Sequence, residues 1–258
     1  MLTSLQNPLV KQMRKLHRAK ERREQQLLLL EGTHLLEEAL SAGCPLSVVC
    51  CTPTWQDQHP ELWARSLTHS PRVELVSEEV LAAIATTVNP DGVVATASRV
   101  HPLALPTAPT LGIVLENLQD PGNLGTVIRT AAAAGADGLW LSENSAEMDN
   151  PKVLRASAGQ WFRLPMGVSA NLKADLQAFQ AQGIQIIATL PTATVTYWEV
   201  DMTRPSLLLL GNEGAGLSEE IAAIADVGVQ IPLAAGVESL NVAIAAALIL
   251  YEAKRQRQ

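Results

Sequence analysis

The sequence predicts an α/β protein, a mainly parallel sheet with helices on both faces, joined to a smaller N-terminal α/β domain. Three observations carry that reading. Short uninterrupted apolar runs recur along the chain with helical stretches between them, the pattern of strands buried on both faces. The stretch Ser98 to Thr110 is punctuated by Pro102, Pro106 and Pro109 and holds no charged residue after Arg99, which is a linker composition. With 258 residues, 47% of them hydrophobic and 17% charged, the chain is long enough for two cores and lacks the charge excess of disordered segments. The expected organisation is a domain over residues 1–98, a linker over 99–110 and a second domain over 111–258.

In the first domain, strands are expected at Leu27 to Leu30, Ser47 to Cys51, Val73 to Val76 and Val93 to Ala95, with helices at Thr33 to Ser41 and Glu78 to Ile84 and a basic helix ahead of them. In the second, the apolar runs Leu111 to Leu115, Leu139 to Leu141, Ile184 to Thr189, Leu207 to Leu210 and Val227 to Ile231 read as strands. Helical segments separate them at Leu124 to Ala134, Leu172 to Gln182 and Ser218 to Ala225, the first two stopped by Gly135 and Gly183. Ligands on such sheets sit at the carboxyl ends of the strands.

The net charge of −7 is unevenly spread. Within Met1 to Leu30, Lys11, Arg14, Lys15, Arg18, Lys20, Arg22 and Arg23 face only Glu21 and Glu24, a local balance of +5 that leaves −12 on the rest. A basic segment on an acidic body points to a partner rich in phosphate, touched by one surface only. No apolar run is long enough to cross a bilayer, the longest being Val242 to Leu250, and the N-terminus lacks the apolar core of a secretion signal, so a cytoplasmic protein is expected. Cys44, Cys50 and Cys51 have no histidine at ligand spacing and are expected to pack as small hydrophobes, with no metal site; a redox role for the Cys50-Cys51 pair is the alternative.

Three loops at strand ends carry the chemistry. The first, Glu116-Asn117-Leu118-Gln119-Asp120-Pro121-Gly122-Asn123, opens a helix bearing Arg129, and a helix N-terminus beside a permanent cation suits an anion. The second, Gly211-Asn212-Glu213-Gly214-Ala215-Gly216-Leu217-Ser218, is glycine-rich, so its backbone can approach a ligand closely. Its G-x-x-G-x-G spacing is neither the dinucleotide fingerprint nor a P-loop, which removes the main support for a nicotinamide oxidoreductase. Glu213 there either meets a partner that donates hydrogen bonds or holds the loop by accepting backbone N–H groups. The third runs from Pro232 through Glu238-Ser239-Leu240-Asn241 into an apolar helix ending in Lys254, Arg255 and Arg257, with Ser239 the expected N-cap. The apolar width of that helix implies burial on several sides, including against another subunit.

Together the three elements resemble the SpoU (TrmH-like) branch of the SPOUT RNA methyltransferases: Asn117 to Gly125 with Arg129-Thr130-Ala131, Gly211 to Leu217, and Ile231-Pro232 with Glu238 to Ala243. Pro151 to Gly159 and Phe162 to Pro165 look like the segment between the family's first two motifs, and the N-terminal part, with Asn89-Pro90-Asp91-Gly92-Val93-Val94-Ala95, is similar to its smaller RNA-binding domain. The resemblance implies transfer of a methyl group from S-adenosylmethionine to a ribose 2′-hydroxyl, with ribosomal RNA favoured, transfer RNA as the other candidate substrate, and a non-catalytic RNA-binding homologue as the alternative. It implies a C-terminal trefoil knot around the cofactor and a homodimer.

Carried over residue by residue, the resemblance puts Thr189, Leu190, Gly211, Asn212, Glu213, Gly216, Ile231 and Leu240 around the cofactor, and Arg129, Asn117, Glu213, Ser239 and Asn241 at the catalytic centre. The basic N-terminal residues Lys11, Arg14, Lys15, Arg18, Arg22 and Arg23 are the expected RNA contacts. A guanidinium essentially never deprotonates, so Arg129 is expected to be clamped by an RNA phosphate and to stabilise the developing oxyanion rather than act as a base.

Overall fold

The computed structural model describes residues 1–99 and 103–258, so Pro102 of the proline-marked linker lies outside the described residues. The chain divides into two compact units, one formed by residues 1–102 with 147–162 and the other by 103–146 with 163–258. The expected contiguous domain over 111–258 is thus interrupted: residues 147–162 make their contacts with the first unit.

In unit 1 the expected single basic helix is two, α1 (Pro8–Lys15) and α2 (Ala19–Gln25). Asn7 caps α1 through a bond from the Leu9 N–H with proline at the first turn, and α1 buries Leu9, Val10 and Met13 against Val76, Val80, Leu81 and Ile84. Four strands follow, β1 (Leu27–Glu31), β2 (Leu46–Cys51), β3 (Val73–Leu75) and β4 (Val93–Ser98), in the order β1-β4-β2-β3. Helix α3 (Thr33–Ser41) lies between β1 and β2, α4 (Pro53–Gln58) and α5 (Pro60–His69) between β2 and β3, and α6 (Glu78–Ile84) before β4. Cys50 and Cys51 are buried in β2, and burial pushes both thiols up to about 12, which keeps them protonated.

Unit 2 is a seven-stranded, wholly parallel sheet. Its elements are β5 (Leu111–Leu115), α7 (Pro121–Ala134) and β6 (Gly138–Ser142). Residues 147–162 then supply α8 (Pro151–Ala156) to unit 1, where it packs on β1. Unit 2 continues with β7 (Met166–Ser169), α9 (Leu172–Ala181), β8 (Gln185–Thr189), β9 (Val195–Thr196), β10 (Ser206–Leu210), α10 (Glu219–Ala222), β11 (Val227–Gln230) and α11 (Val242–Gln256). The order is β7-β6-β5-β10-β8-β11-β9. One face of the sheet buries Val114, Ile186 and Leu209 with Leu172 and Leu176 of α9 and Ile221 of α10. Helix α11 packs on β10 and α7. No helix among the described residues is long and apolar enough to cross a membrane.

Candidate active site

Strand order builds the site. From β5 the sheet grows through β6 and β7 in one direction, and from β10 through β8, β11 and β9 in the other. The reversal lies between β5 and β10, where Leu115 stands opposite Leu210, so the loops starting at Glu116 and Gly211 emerge side by side. Strand β8 lies next to β10 and β11 next to β8, which brings Thr189 and Ile231 to the same carboxyl end.

Each loop is held by hydrogen bonds to the others. In the first, Asp120 caps α7 by accepting the Asn123 N–H at 2.8 Å. Asn117 adopts a left-handed φ of 55°, a conformation asparagine tolerates. Its N–H donates to Ser142 Oγ at 2.8 Å and its carbonyl accepts from Asn212 Nδ2 at 2.9 Å. In the glycine-rich loop, Asn212 and Gly216 exchange backbone hydrogen bonds of 2.9 Å, and Asn212 Oδ1 accepts from the Gly214 and Ala215 N–H groups. That tight ring requires glycine at both ends: a Cβ on Gly211 would lie 2.1 Å from the Gly216 carbonyl carbon, and Gly216 has a φ of +71°.

Glu213 braces the first two loops. It accepts from the N–H groups of Gln119 (3.2 Å) and Asp120 (3.0 Å) and from Asn123 Nδ2 (3.2 Å). Burial acts to raise its carboxyl, but the N–H groups of Asp120, Glu213 itself and Gln119, with the Asn123 amide, outweigh it and hold the group below the ordinary carboxylate range. Of the two duties open to Glu213, the structure gives it the holding of loops, which argues against the catalytic duty also expected of it. Glu116, at the start of the first loop, also ties it to the end of the second: buried, it accepts from Ser218 N at 2.8 Å and Ser218 Oγ at 2.7 Å.

Asn241, not Ser239, caps the last helix, accepting from the Ala243 and Ile244 N–H groups. Its Nδ2 donates to Asn123 Oδ1 at 2.9 Å, which ties the third loop to the first. The side-chain carbonyl of asparagine reaches back to the first free N–H groups, while Ser239 stays two residues upstream.

Residues 189–191 at the end of β8, the glycine-rich loop after β10 and the segment after β11 enclose a cavity of about 360 Å³, to which the first loop contributes no lining residue. Thr189, Leu190, Gly211, Asn212, Glu213, Gly216, Ile231 and Leu240, all expected at the cofactor, line it, together with Ser239 and with Pro191 and Glu238, which were not expected. Glu213 and Glu238 are the charged side chains in this lining; no lysine or arginine joins them. Such a pocket disfavours a pyrophosphate and suits a ligand carrying positive charge among apolar and backbone surfaces. Asn117 and Asn241 lie outside the lining but bond to Asn212 and Asn123. Arg129 stands apart from it, exposed on α7 two turns from the cap and without an ion pair or hydrogen bond among the described residues. Among the described residues no cluster of three His, Cys, Asp or Glu side chains could hold a metal ion.

Of the expected RNA contacts, Lys11, Arg14, Lys15, Arg18 and Arg23 are exposed. Arg22 is not: its side chain is 2% exposed, bonded to Glu147 at 2.7 Å, Asp149 at 3.4 Å and the Leu16 carbonyl at 3.1 Å. Its charge serves the interior of unit 1.

Residues 110–251 match the SpoU rRNA Methylase family and residues 7–95 the MRM3-like substrate binding domain. Fold and cavity thus define an S-adenosylmethionine-dependent RNA methyltransferase with its own substrate-binding domain. Similar proteins include an uncharacterized tRNA/rRNA methyltransferase of Synechocystis, 51% identical over 99% of this chain and 94% of that one. The 23S rRNA (guanosine(2553)-2′-O)-methyltransferase RlmP of Bacillus subtilis is 34% identical over 97% of both. Among solved structures, the AdoMet-bound rRNA methyltransferase from Sinorhizobium meliloti superposes with a TM-score of 0.87 at 33% identity, over 100% of this chain and 98% of that one. The chain belongs to the SpoU rRNA methylase family.

Proposed function

We propose that this RNA methyltransferase modifies a ribose 2′-hydroxyl of large-subunit ribosomal RNA, reading the RNA with its basic N-terminal helices and binding S-adenosylmethionine in the cavity between the loops that follow β8, β10 and β11. The observation that carries the reading is the meeting of those loops at adjacent strand ends, around a pocket whose charged lining is acidic. The large-subunit target rests on the full-length similarity to the Bacillus enzyme. The bound cofactor supplies an electrophilic methyl on a positively charged sulfur.

The residues must then hold and align the acceptor hydroxyl, whose proton is released to water as the methyl leaves sulfur and the O–CH3 bond forms. Gly211, Ile231 and Leu240 offer backbone and apolar surface to the cofactor, and Glu213 and Asn212 keep the loop in shape. Arg129, free and exposed on α7 outside the cavity lining, is the residue we assign to take an RNA phosphate and, through it, to stabilise negative charge growing on the attacking oxygen. Ser239, Asn117 and Asn241 remain candidates for handling the target nucleotide, and Asn241 is already bonded to Asn123.

Two further features belong to this reading. Ile244, Leu248 and Tyr251 form an exposed stripe on α11, 52%, 37% and 50% exposed. Their spacing of four and three residues marks one helix face, and its apolar character supports a homodimer formed there. Insertion of β10 between β5 and β8, after β8 and before β11, supports a chain that passes through its own loop in a trefoil knot. Mapping 2′-O-methylated positions in ribosomal and transfer RNA from cells with and without the gene tests the assignment: one position lost from large-subunit RNA is expected, and a loss confined to transfer RNA would move the substrate there.

A further inference from the structure

A second cavity, of about 310 Å³, lies wholly within unit 1 and is lined by Glu31, His34, Asn89, Asp91 and Arg155 among others. None of the exposed cations of α1 and α2 is in its lining. Its volume is at the low end of the range for small-ligand sites, about 300–1,000 Å³.

Its back wall is a buried charge network that packing alone does not require. Glu31, with a side chain 2% exposed at the end of β1, accepts from the N–H and Oγ1 of both Thr86 and Thr87 and pairs with Arg155 Nη1 at 2.9 Å. Arg155 Nη1 also donates to Thr86 Oγ1 at 2.9 Å. An apolar side chain in place of a buried ion pair is often as stable or more so, so the network's use lies in what it positions. It fixes the start of the loop running from Ala85 to Gly92 and holds Arg155, 29% exposed, at the cavity.

The mouth offers unspent polar groups of both kinds. Asp91 Oδ2 accepts from the Thr33 N–H at 2.8 Å, leaving Oδ1 without a hydrogen bond among the described residues. The exposed side chains of His34 and Asn89 make none among the described residues. Between Thr87 and Asn89, Val88 is held 93% exposed, an apolar face beside the opening. A lining with one cation, one free carboxylate oxygen, an amide and an imidazole is too mixed for a metal and too acidic for bare phosphate. It matches the edge of a nucleobase, whose donors and acceptors alternate, and unstacked bases are the usual handle for sequence-dependent RNA recognition.

We propose that this cavity receives one unpaired nucleotide of the RNA substrate, its base against His34, Asn89 and Asp91 Oδ1 and its phosphate toward Arg155, an inference that rests on the RNA methyltransferase reading. The test combines ultraviolet cross-linking of the full chain to large-subunit RNA from a strain lacking the gene, mapped by mass spectrometry, with methyl transfer by the His34→Ala, Asn89→Ala double variant. Cross-links within residues 31–35 or 87–93 are expected, with about a tenfold rise in half-saturating RNA, the loss two hydrogen bonds produce, and unchanged affinity for S-adenosylmethionine. Should the double variant melt early, Asn89→Ala alone, on an exposed loop, serves with a proportionate effect. Transfer by wild-type protein without those cross-links, and a variant within about twofold of wild type, well short of the loss expected for two hydrogen bonds, would overturn the pocket and leave the enzyme's function standing. Cross-links in the pocket without transfer to any RNA would uphold the pocket and remove the functional reading instead.

Discussion

Replacing Gly211 by alanine adds one methyl group where the structure has no room for it. The new Cβ would stand 2.1 Å from the Gly216 carbonyl carbon and 2.2 Å from both the Gly216 oxygen and the Leu217 nitrogen. These are backbone atoms in a ring closed by two 2.9 Å hydrogen bonds, so no side chain can swing aside. The strand end and the 212–216 turn must separate by more than about 1 Å to reach ordinary contact, and overpacking of this kind costs about 1–3 kcal/mol. The same shift pulls Asn212 from Asn117 and Glu213 from residues 119–120, opening the cofactor cavity. The expected outcome is a melting temperature lower by about 2–12 °C and affinity for S-adenosylmethionine reduced at least about tenfold, the equivalent of 1.4 kcal/mol. Calorimetric titration and thermal melting check both. Binding within about twofold of wild type, a loss far below the cost of that overpacking, would refute the claim that the closed ring shapes the pocket.

Arg129→Lys keeps the charge but loses the planar fork, so single-turnover transfer should fall by about 10²–10³ with cofactor binding intact; retention of more than a tenth of the rate would leave Arg129 a mere phosphate attractor. Glu213→Ala removes three acceptor contacts and should cost about 1–2 kcal/mol, discounted for exposure, in thermal stability. Because its carboxyl is held below the ordinary range, the brace contributes fully above the unfolded carboxylate value and is lost as pH falls through the lowered one; the gap in stability between wild type and variant should therefore be full at neutral pH and close in acid, and a gap that stays constant through strongly acid pH would count against it. Changing Lys11, Arg14 and Lys15 together to glutamine should lower the salt slope of RNA binding by about 2, since all three are exposed. Arg22→Ala should instead remove a buried cation bonded to Glu147 and Asp149, which keep Arg23 and Arg99 as partners, costing about 1.5–3 kcal/mol of stability with little change in that slope; the reverse pattern would return Arg22 to the RNA surface.

What the sequence made legible was whatever repeats or is contiguous. Strands β5 and β10 and helices α3 and α6 stand where continuous apolar runs and helical stretches put them. Strand β7 escaped because Met-Gly-Val-Ser at the sheet edge is short and mixed, and β9 because two residues carry no period. The motif residues around the cofactor cavity were legible through resemblance, yet their pairing was not. That Asn241 bonds Asn123, or that Glu116 holds Ser218, depends on β10 lying beside β5, and strand order leaves no local signature. Arg22 misled for a similar reason: its acidic partners come from residues 147–162, far along the chain, so a cation in a basic run looked like part of the surface.

The most direct test of the account is transfer of labelled methyl from S-adenosylmethionine to large-subunit ribosomal RNA from a gene-deleted strain, beside the same RNA carrying a 2′-deoxy nucleotide at the mapped position. Label is expected as one 2′-O-methyl nucleotide from the first and none from the second. Equal labelling of the deoxy RNA would contradict it, placing the methyl on a base.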